Sequence, residues 1–100
     1  MVIAEVSIFP LGTDSPGLSQ YVTAAVRELE ASGLECTLGP MGTTVEAASP
    51  EEVYAAVAQA QAAVFELGVE RTYTVIKMDE RRDVEGRSAE DMVRSVREES

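Results

Sequence analysis

The stretch Leu38-Gly39-Pro40-Met41-Gly42-Thr43-Thr44 lies near the middle of the chain and decides its fold. The segment from Gly39 to Gly42 fits a type I turn, because proline at the second position presets φ and a glycine closes the turn. Strand-like runs lie on both sides of it, from Leu34 to Leu38 and from Thr43 to Ala47. The sequence therefore predicts a β-hairpin with a loop of about four residues.

A first helical pattern precedes the hairpin, from about Leu18 to Ser32. Either Ser15 or Ser19 could supply its N-cap, and the spacing does not choose between them. Gly33 is the expected residue just beyond its end. Apolar residues at helical spacing predict the core-facing stripe, which consists of Leu18, Val22, Ala25, Val26 and Leu29.

A second helical pattern follows the hairpin and carries clearer end signals. Ser49 with Glu52 three residues later makes a capping box, and Pro50 occupies the first helical position. Gly68 is expected to end the helix. Its predicted core stripe consists of Val53, Val57, Ala60, Val64 and Leu67.

One strand-like run lies outside each helix. Val2 to Phe9 alternates a wholly apolar set with a mixed set that contains Glu5, and Glu70 to Asp79 alternates in the same way. The charges from Asp79 to Asp83 are expected to satisfy one another, within the loop or across a subunit boundary. Ser88 then caps a short terminal helix that needs a docking surface, because its apolar residues are only Met92, Val93 and Val96.

The order β-α-β-β-α-β predicts an α+β fold, the ferredoxin-like α/β plait, with a short C-terminal helix added. Right-handed crossovers give an antiparallel sheet in the order 4-1-3-2. One hundred residues suit a single domain, residues 1–100. Both helices cover one face of this sheet. The other face is too apolar to lie bare in water, since it displays Ile3, Glu5, Ser7, Phe9, Tyr73, Val75 and Lys77.

Composition excludes several classes of function. A net charge of −10 argues against nucleic acid as a partner. The absence of histidine removes Ser-His-Asp and Cys-His catalysis and every histidine-containing metal site. No apolar run is long enough for a membrane span, and the start of the chain does not resemble a signal peptide. A single cysteine, Cys36, suits a reducing compartment, so we expect a cytoplasmic protein.

Glu5 is the leading candidate for a ligand contact. A carboxylate at the centre of a strand needs a partner, which could be a cationic or amine-bearing ligand. An ion pair with Lys77 on a neighbouring strand explains it equally well. Glu46 on the adjacent hairpin strand is a second candidate. Hydroxyl groups of Ser7, Thr43 and Thr44 could add contacts, and Phe9 and Tyr73 could stack on a planar ring or pack in an interface.

These residues fall within segments that resemble a known family, the small thiamine-binding proteins. The resemblance begins with Val2-Ile3-Ala4-Glu5-Val6-Ser7-Ile8-Phe9-Pro10-Leu11-Gly12-Thr13 and extends over nearly the whole chain. It continues through Tyr21-Val22, Gly33-Leu34, Leu38-Gly39-Pro40-Met41-Gly42-Thr43, Ala63-Val64-Phe65-Glu66-Leu67-Gly68, Ile76-Lys77-Met78-Asp79-Glu80-Arg81-Arg82-Asp83 and Val93-Arg94-Ser95-Val96.

The resemblance implies a ferredoxin-like fold, assembly into homodimers or homotetramers, and binding of thiamine or its hydroxymethylpyrimidine part. It implies neither catalysis nor a cofactor. Unphosphorylated thiamine is favoured over the diphosphate, because the sequence shows no phosphate cradle. Carried onto this chain, the ligand-binding residues are Glu5, Ser7, Leu11, Gly12, Thr13, Gly42, Thr43 and Thr44. The alternative is a structural or regulatory oligomeric module whose sheet face is only an interface.

Overall fold

The central hairpin forms as predicted in the computed structural model, which describes residues 1–13, 17–83 and 88–99. Strand β2 (Glu35–Leu38) pairs antiparallel with β3 (Thr43–Ala47), and Leu38 opposes Thr43 at the loop end. The loop is closed by the Gly39 N–H, which donates to the Gly42 carbonyl oxygen at 2.9 Å. The hairpin therefore forms one edge of the sheet.

The long strand β1 (Val2–Leu11) is central and pairs antiparallel with β3 on one side and with β4 (Arg71–Glu80) on the other. The strand order is β2-β3-β1-β4, which confirms the predicted order 4-1-3-2 read from the opposite edge. Pairing with β4 runs without interruption from Val2 opposite Glu80 to Leu11 opposite Arg71. Because β3 has only five residues, β1 extends well beyond it.

Helices α1 (Ser19–Ala31) and α2 (Pro50–Phe65) pack together on one face of the sheet. Alternate β1 residues, from Val2 to Ile8, meet buried positions of both helices in one apolar core. The buried core consists of Val2, Ala4, Val6, Ile8, Tyr21, Ala25, Leu29, Val45, Val53, Ala56, Val57, Ala60 and Val64.

The predicted stripe of α1 was wrong at two positions. Leu18 and Val22 are exposed, and Tyr21 is buried in line with Ala25 and Leu29. The helix begins at Ser19. Tyr21, Ala25 and Leu29 are spaced four residues apart, so they lie on one side of the helix, and that side faces the core. The prediction that Leu67 belongs to the core stripe of α2 was also wrong, because this residue lies beyond the end of α2 and is exposed.

The helix ends settle the cap assignments that fall within the described residues. Ser19 lies inside α1 and does not cap it, since Leu18 occupies the cap position without a side-chain hydrogen bond. Ser15, the other predicted cap, lies outside the described residues. At α2 the Ser49 hydroxyl accepts from the Glu52 N–H at 3.4 Å. The Glu52 carboxylate reaches back to the N–H of Ala48, also at 3.4 Å.

The last helix, α3 (Ala89–Glu99), follows the predicted cap Ser88, whose hydroxyl accepts from the Asp91 N–H at 3.2 Å. None of its described residues is buried. Its first residue is fastened to the sheet, because the Ala89 N–H donates to Glu46 Oε1 at 3.0 Å. Glu46 of β3 thus gives the start of α3 a docking point on the sheet. Residues 84–87 of the predicted charged loop lie outside the described residues.

The Ser49 cap gives a testable consequence for stability. We expect Ser49→Ala to lower the free energy of unfolding by about 1 kcal/mol, because an N–H in the first turn of α2 loses its acceptor. Ser19→Ala is the matched control, since it removes a serine hydroxyl from the first turn of α1 without removing a cap. Urea denaturation of both variants measures the difference, and equal losses would contradict the assignment of the cap.

Candidate functional site

The face of the sheet opposite α1 and α2 carries a mixed set of exposed side chains. Phe9 and Tyr73 are cross-strand partners on this face, with 41% and 57% of their surfaces exposed. The next pair toward the centre is Ser7 with Val75, which is 45% exposed. Apolar and aromatic surface is therefore open beside polar groups, as the alternation in β1 and β4 predicts.

Glu5 lies at the centre of this open face. Thr44 of β3 opposes it on one side and Lys77 of β4 on the other. Although Glu5 and Lys77 are neighbours, no ion pair within 4.0 Å joins these two described residues. Glu5 is exposed to solvent, so its carboxylate oxygens are available to a ligand.

Ser7 connects β1 to the hairpin loop. Its hydroxyl donates to the carbonyl oxygen of Met41 at 2.9 Å, a contact between residues far apart in sequence. This bond holds the Gly39–Gly42 loop against β1, next to the position of Glu5. The sequence singled out the Ser7 hydroxyl as a candidate, but its loop partner depends on the sheet register and could not be read from the pattern.

Gly42 is the point where the hairpin loop lies closest to β1. A Cβ atom at this position would lie 2.8 Å from Ser7 Oγ, 3.0 Å from Glu5 Cγ and 3.1 Å from the carbonyl oxygen of Val6. The described glycines with positive φ are Gly12, Gly33 and Gly68, so Gly42 is required for its lack of a side chain and not for φ. Glu5, Ser7, Gly42 and Thr44 thus form one cluster, the Glu5 cluster.

The other predicted site residues lie elsewhere. Thr43 is buried on the helix-covered face, because neighbours in a strand point to opposite faces. Leu11, Gly12 and Thr13 lie at the far end of β1, roughly 13 Å along the strand from Ser7 at about 3.3 Å per residue. The structure therefore divides the eight predicted residues into the Glu5 cluster, one buried threonine and a separate group at the end of β1.

Two cavities flank β1, and Glu5 lines neither. The first, about 160 Å³, lies beside the hairpin loop; Ser7, Phe9 and Gly42 line it together with the exposed α1 residue Val22. The second is an open groove of about 670 Å³ at the other end of β1, lined by Leu11, Gly12, Thr13, Tyr21, Leu67, Gly68, Val69, Glu70 and Arg71. Sequence reasoning missed Val22 and Arg71 as lining residues, because their positions depend on how α1 and β4 pack.

The Cys36 thiol lies in surroundings that do not activate it as a nucleophile. Burial, together with the charges of Glu30 and Glu35, raises the pKa of the Cys36 thiol, which therefore stays protonated at neutral pH. No group of three or more potential metal ligands occurs among residues 1–13, 17–83 and 88–99. Across the same part of the chain, no helix is long and apolar enough to cross a membrane.

The charged segment after β4 is satisfied locally. Arg81 forms an ion pair with Asp83 at 2.7 Å, and Arg82 forms one with Glu80 at 3.1 Å. The hydrogen bond from Arg81 holds the pKa of the Asp83 carboxyl below its ordinary value. Of the two expectations for this segment, the structure shows pairing within the loop.

Comparison with known proteins identifies the family of this fold. The family model described as thiamine-binding protein matches residues 4–97. The chain belongs to the thiamine-binding protein family. This confirms the resemblance seen in the sequence. A UPF0045 protein from Methanothermobacter thermautotrophicus is 43% identical over 98 residues, which cover 98% of each chain. The UPF0045 protein YqgV from Bacillus subtilis is 37% identical over 87 residues, covering 83% of each.

Solved structures support the same fold. A hypothetical protein from Methanocaldococcus jannascii superposes with a TM-score of 0.85 at 33% identity, covering 97% of this chain and 96% of its own. A Thermotoga maritima protein, named as a candidate thiamine biosynthesis/salvage protein, has a TM-score of 0.79 at 20% identity. That match covers 95% of this chain and 97% of the other. At this identity, the second likeness shows the fold alone.

The close approach at Gly42 makes a prediction about the loop. We expect Gly42→Ala to destabilise the protein by roughly 1–3 kcal/mol. The added methyl group would displace the Ser7 hydroxyl, which is bonded to Met41, and would crowd the Val6 carbonyl, which no rotamer change can move. Met41→Ala in the same loop is the control, since the Met41 side chain is 81% exposed and its bonded carbonyl is retained. Thermal unfolding followed by circular dichroism measures both, and an unchanged midpoint for Gly42→Ala would contradict the close approach.

Proposed function

We propose that this chain binds thiamine, or its hydroxymethylpyrimidine part, without converting it. The observation that carries the proposal is the Glu5 carboxylate, which is exposed at the centre of the open sheet face and makes no ion pair with Lys77. The description of the family supports the choice of ligand.

The chemistry of the Glu5 cluster fits an aminopyrimidine. The exocyclic amine is a hydrogen-bond donor, and a carboxylate is a strong acceptor for it. The ring nitrogens are acceptors, for which the Thr44 hydroxyl is a suitable donor. The Ser7 hydroxyl already donates to Met41, so it serves best as an acceptor for the ligand. In this proposal Glu5 accepts a hydrogen bond from the exocyclic amine, and Thr44 donates one to a ring nitrogen.

The aromatic pair on the same face suits the other half of the vitamin. A thiazolium ring is a fixed cation, and the faces of Phe9 and Tyr73 attract cations. The net charge of −10 also favours a cationic ligand. The Glu5 carboxylate would repel the negative charge of a diphosphate, and the cation that opposes Glu5 on β4 is the single residue Lys77. We therefore assign the unphosphorylated vitamin as the ligand.

Self-association forms part of the proposal. Glu5 lies on an open surface and lines neither cavity beside β1, so a ligand there needs further cover from protein. A second copy of the chain would supply it and would also bury the exposed rings of Phe9 and Tyr73. We expect a homodimer or homotetramer at micromolar concentration, measured by light scattering, and a monomer would contradict this part of the proposal.

A structural or regulatory module is the second candidate function. The exposed aromatic pair and Val75 favour it, because such surface is also typical of an interface that binds no small molecule. Under this alternative the chain associates but has no affinity for thiamine. The two functions therefore differ in one measurement, a titration of the associated protein with the vitamin.

Glu5→Gln tests the role of the carboxylate. Glutamine keeps the shape and removes the charge, so the loss of one charge-assisted hydrogen bond should weaken binding by roughly 1.5–3 kcal/mol, about tenfold to a hundredfold. Glu30→Gln on the exposed side of α1 is the control, because it makes the same change in charge far from the Glu5 cluster. Isothermal titration with thiamine, hydroxymethylpyrimidine and thiamine diphosphate measures all three proteins.

The titrations separate the candidates clearly. Wild-type affinity for thiamine or hydroxymethylpyrimidine, reduced in Glu5→Gln and kept in Glu30→Gln, is the expected result. Equal binding by Glu5→Gln would remove this residue from the site. No heat of binding by wild type at millimolar vitamin would end the ligand proposal in favour of the structural module.

A further inference from the structure

The outer edge of β4 is unusually suited to pairing with another strand. Its inner edge pairs with β1 over ten consecutive positions in constant register, so the strand contains no bulge. The ten residues from Arg71 to Glu80 include no proline. Short length, bulges, prolines and charged side chains are the usual features that prevent sheet edges from pairing. Of these, β4 has only charged side chains, so a partner strand must match their signs. The opposite edge of the sheet, β2, has only four residues.

The open face of β4 carries charges in an alternating row. Arg71, Tyr73, Val75, Lys77 and Asp79 all lie on this side and are exposed. None of the hydrogen bonds and ion pairs of the described residues involves the side chains of Arg71 or Lys77, and the Asp79 carboxylate has an electrostatic contact with Arg81 in its own chain. The row therefore has cations at its first and fourth positions, Arg71 and Lys77, and an anion at its fifth, Asp79, with the apolar Val75 in the middle.

We propose that two copies of the chain pair through β4, antiparallel, about a two-fold axis at Val75. Arg71 then opposes the partner's Asp79, Tyr73 opposes the partner's Lys77, and Val75 opposes its own copy. Two-fold symmetry produces each unlike pair twice. Nine opposed positions give roughly eight to ten backbone hydrogen bonds between the copies. The inference rests on the self-association proposed above and assigns one of its surfaces, with its register. Pairing at the edge extends the sheet in its own plane, so the cover for the open face would come from a further copy, as in a homotetramer.

Charge selects this register over its neighbours. Directly opposed residues must point to the same face of the sheet, so the two-fold axis must pass through a residue. The two nearest alternative registers therefore place the axis at Thr74 or at Ile76. An axis at Thr74 would place Arg71 opposite the partner's Lys77, and an axis at Ile76 would place it opposite the partner's Arg81. Both juxtapose like charges, which destabilise a cross-strand pair. Only the axis at Val75 gives Arg71 and Asp79 partners of opposite sign over the full strand.

The pairing also concerns the Glu5 cluster. Lys77 opposes Glu5 within its own chain and would meet the ring of the partner's Tyr73 on its other side. A cation over an aromatic face is stabilised there, by about 0.5–1 kcal/mol at an exposed site. Lys77 is thereby held away from Glu5, which leaves the carboxylate to the ligand.

Charge reversal tests the register directly. Arg71→Asp and Asp79→Arg each place like charges at two positions of the homodimer, so each should weaken self-association at least tenfold. An equimolar mixture of the two variants restores opposite charges at both positions and should associate as tightly as wild type. The double variant Arg71→Asp/Asp79→Arg should also recover. Sedimentation equilibrium measures all four samples, with Arg27→Asp and Glu30→Arg as controls that change the net charge equally on α1.

Each outcome decides the inference. Association by both single variants at the wild-type level, or no recovery in the mixture of folded variants, would show that β4 is not paired at Val75. A monomeric wild type would overturn the self-association and the register together. The thiamine titrations test the ligand proposal separately, so a failure of ligand binding is distinguishable from a failure of the β4 pairing.

Discussion

The structure depends on one constraint: within the described residues, the central strand β1 is paired on both edges, whereas helices cover one of its faces and leave the other open. Alternate residues from Val2 to Ile8 are buried under α1 and α2, and burial of this apolar surface is the main favourable term for folding. The intervening residues, among them Glu5, must then point to the other face. A period of two in a single strand thus creates both the core and the open surface.

The candidate site follows from the unequal lengths of the strands. Since β3 begins only at Thr43, the hairpin loop lies beside β1 at Ser7 instead of continuing the ladder. Gly42 permits this approach because it has no side chain to meet Val6 or Ser7. Backbone, hydroxyl and carboxylate groups are consequently gathered at one place, on a face that also carries apolar, aromatic and charged side chains. This is an arrangement suited to a small polar ring.

Much of the fold could be predicted because its signals are local. Alternation in β1 and β4, the Ser49–Glu52 cap and the glycines after both helices gave the elements and their order. The side of α1 that faces the sheet could not be predicted, since Tyr21 and Val22 are adjacent and either can begin an apolar stripe; only packing against the sheet selects Tyr21. The same holds for the site: family resemblance grouped Leu11 and Thr43 with Glu5, whereas strand length and the alternation of faces separate them.

The claim that the open sheet face is the ligand-binding face is best tested by nuclear magnetic resonance. Backbone amide shifts of the ¹⁵N-labelled protein should be followed during titration with thiamine. Shifts concentrated at Glu5, Ser7, Gly42 and Thr44, with Gly12 and Gly68 of the groove unchanged, are the predicted result. Shifts confined to Gly12, Thr13 and Gly68 would place the ligand in the groove and contradict the claim.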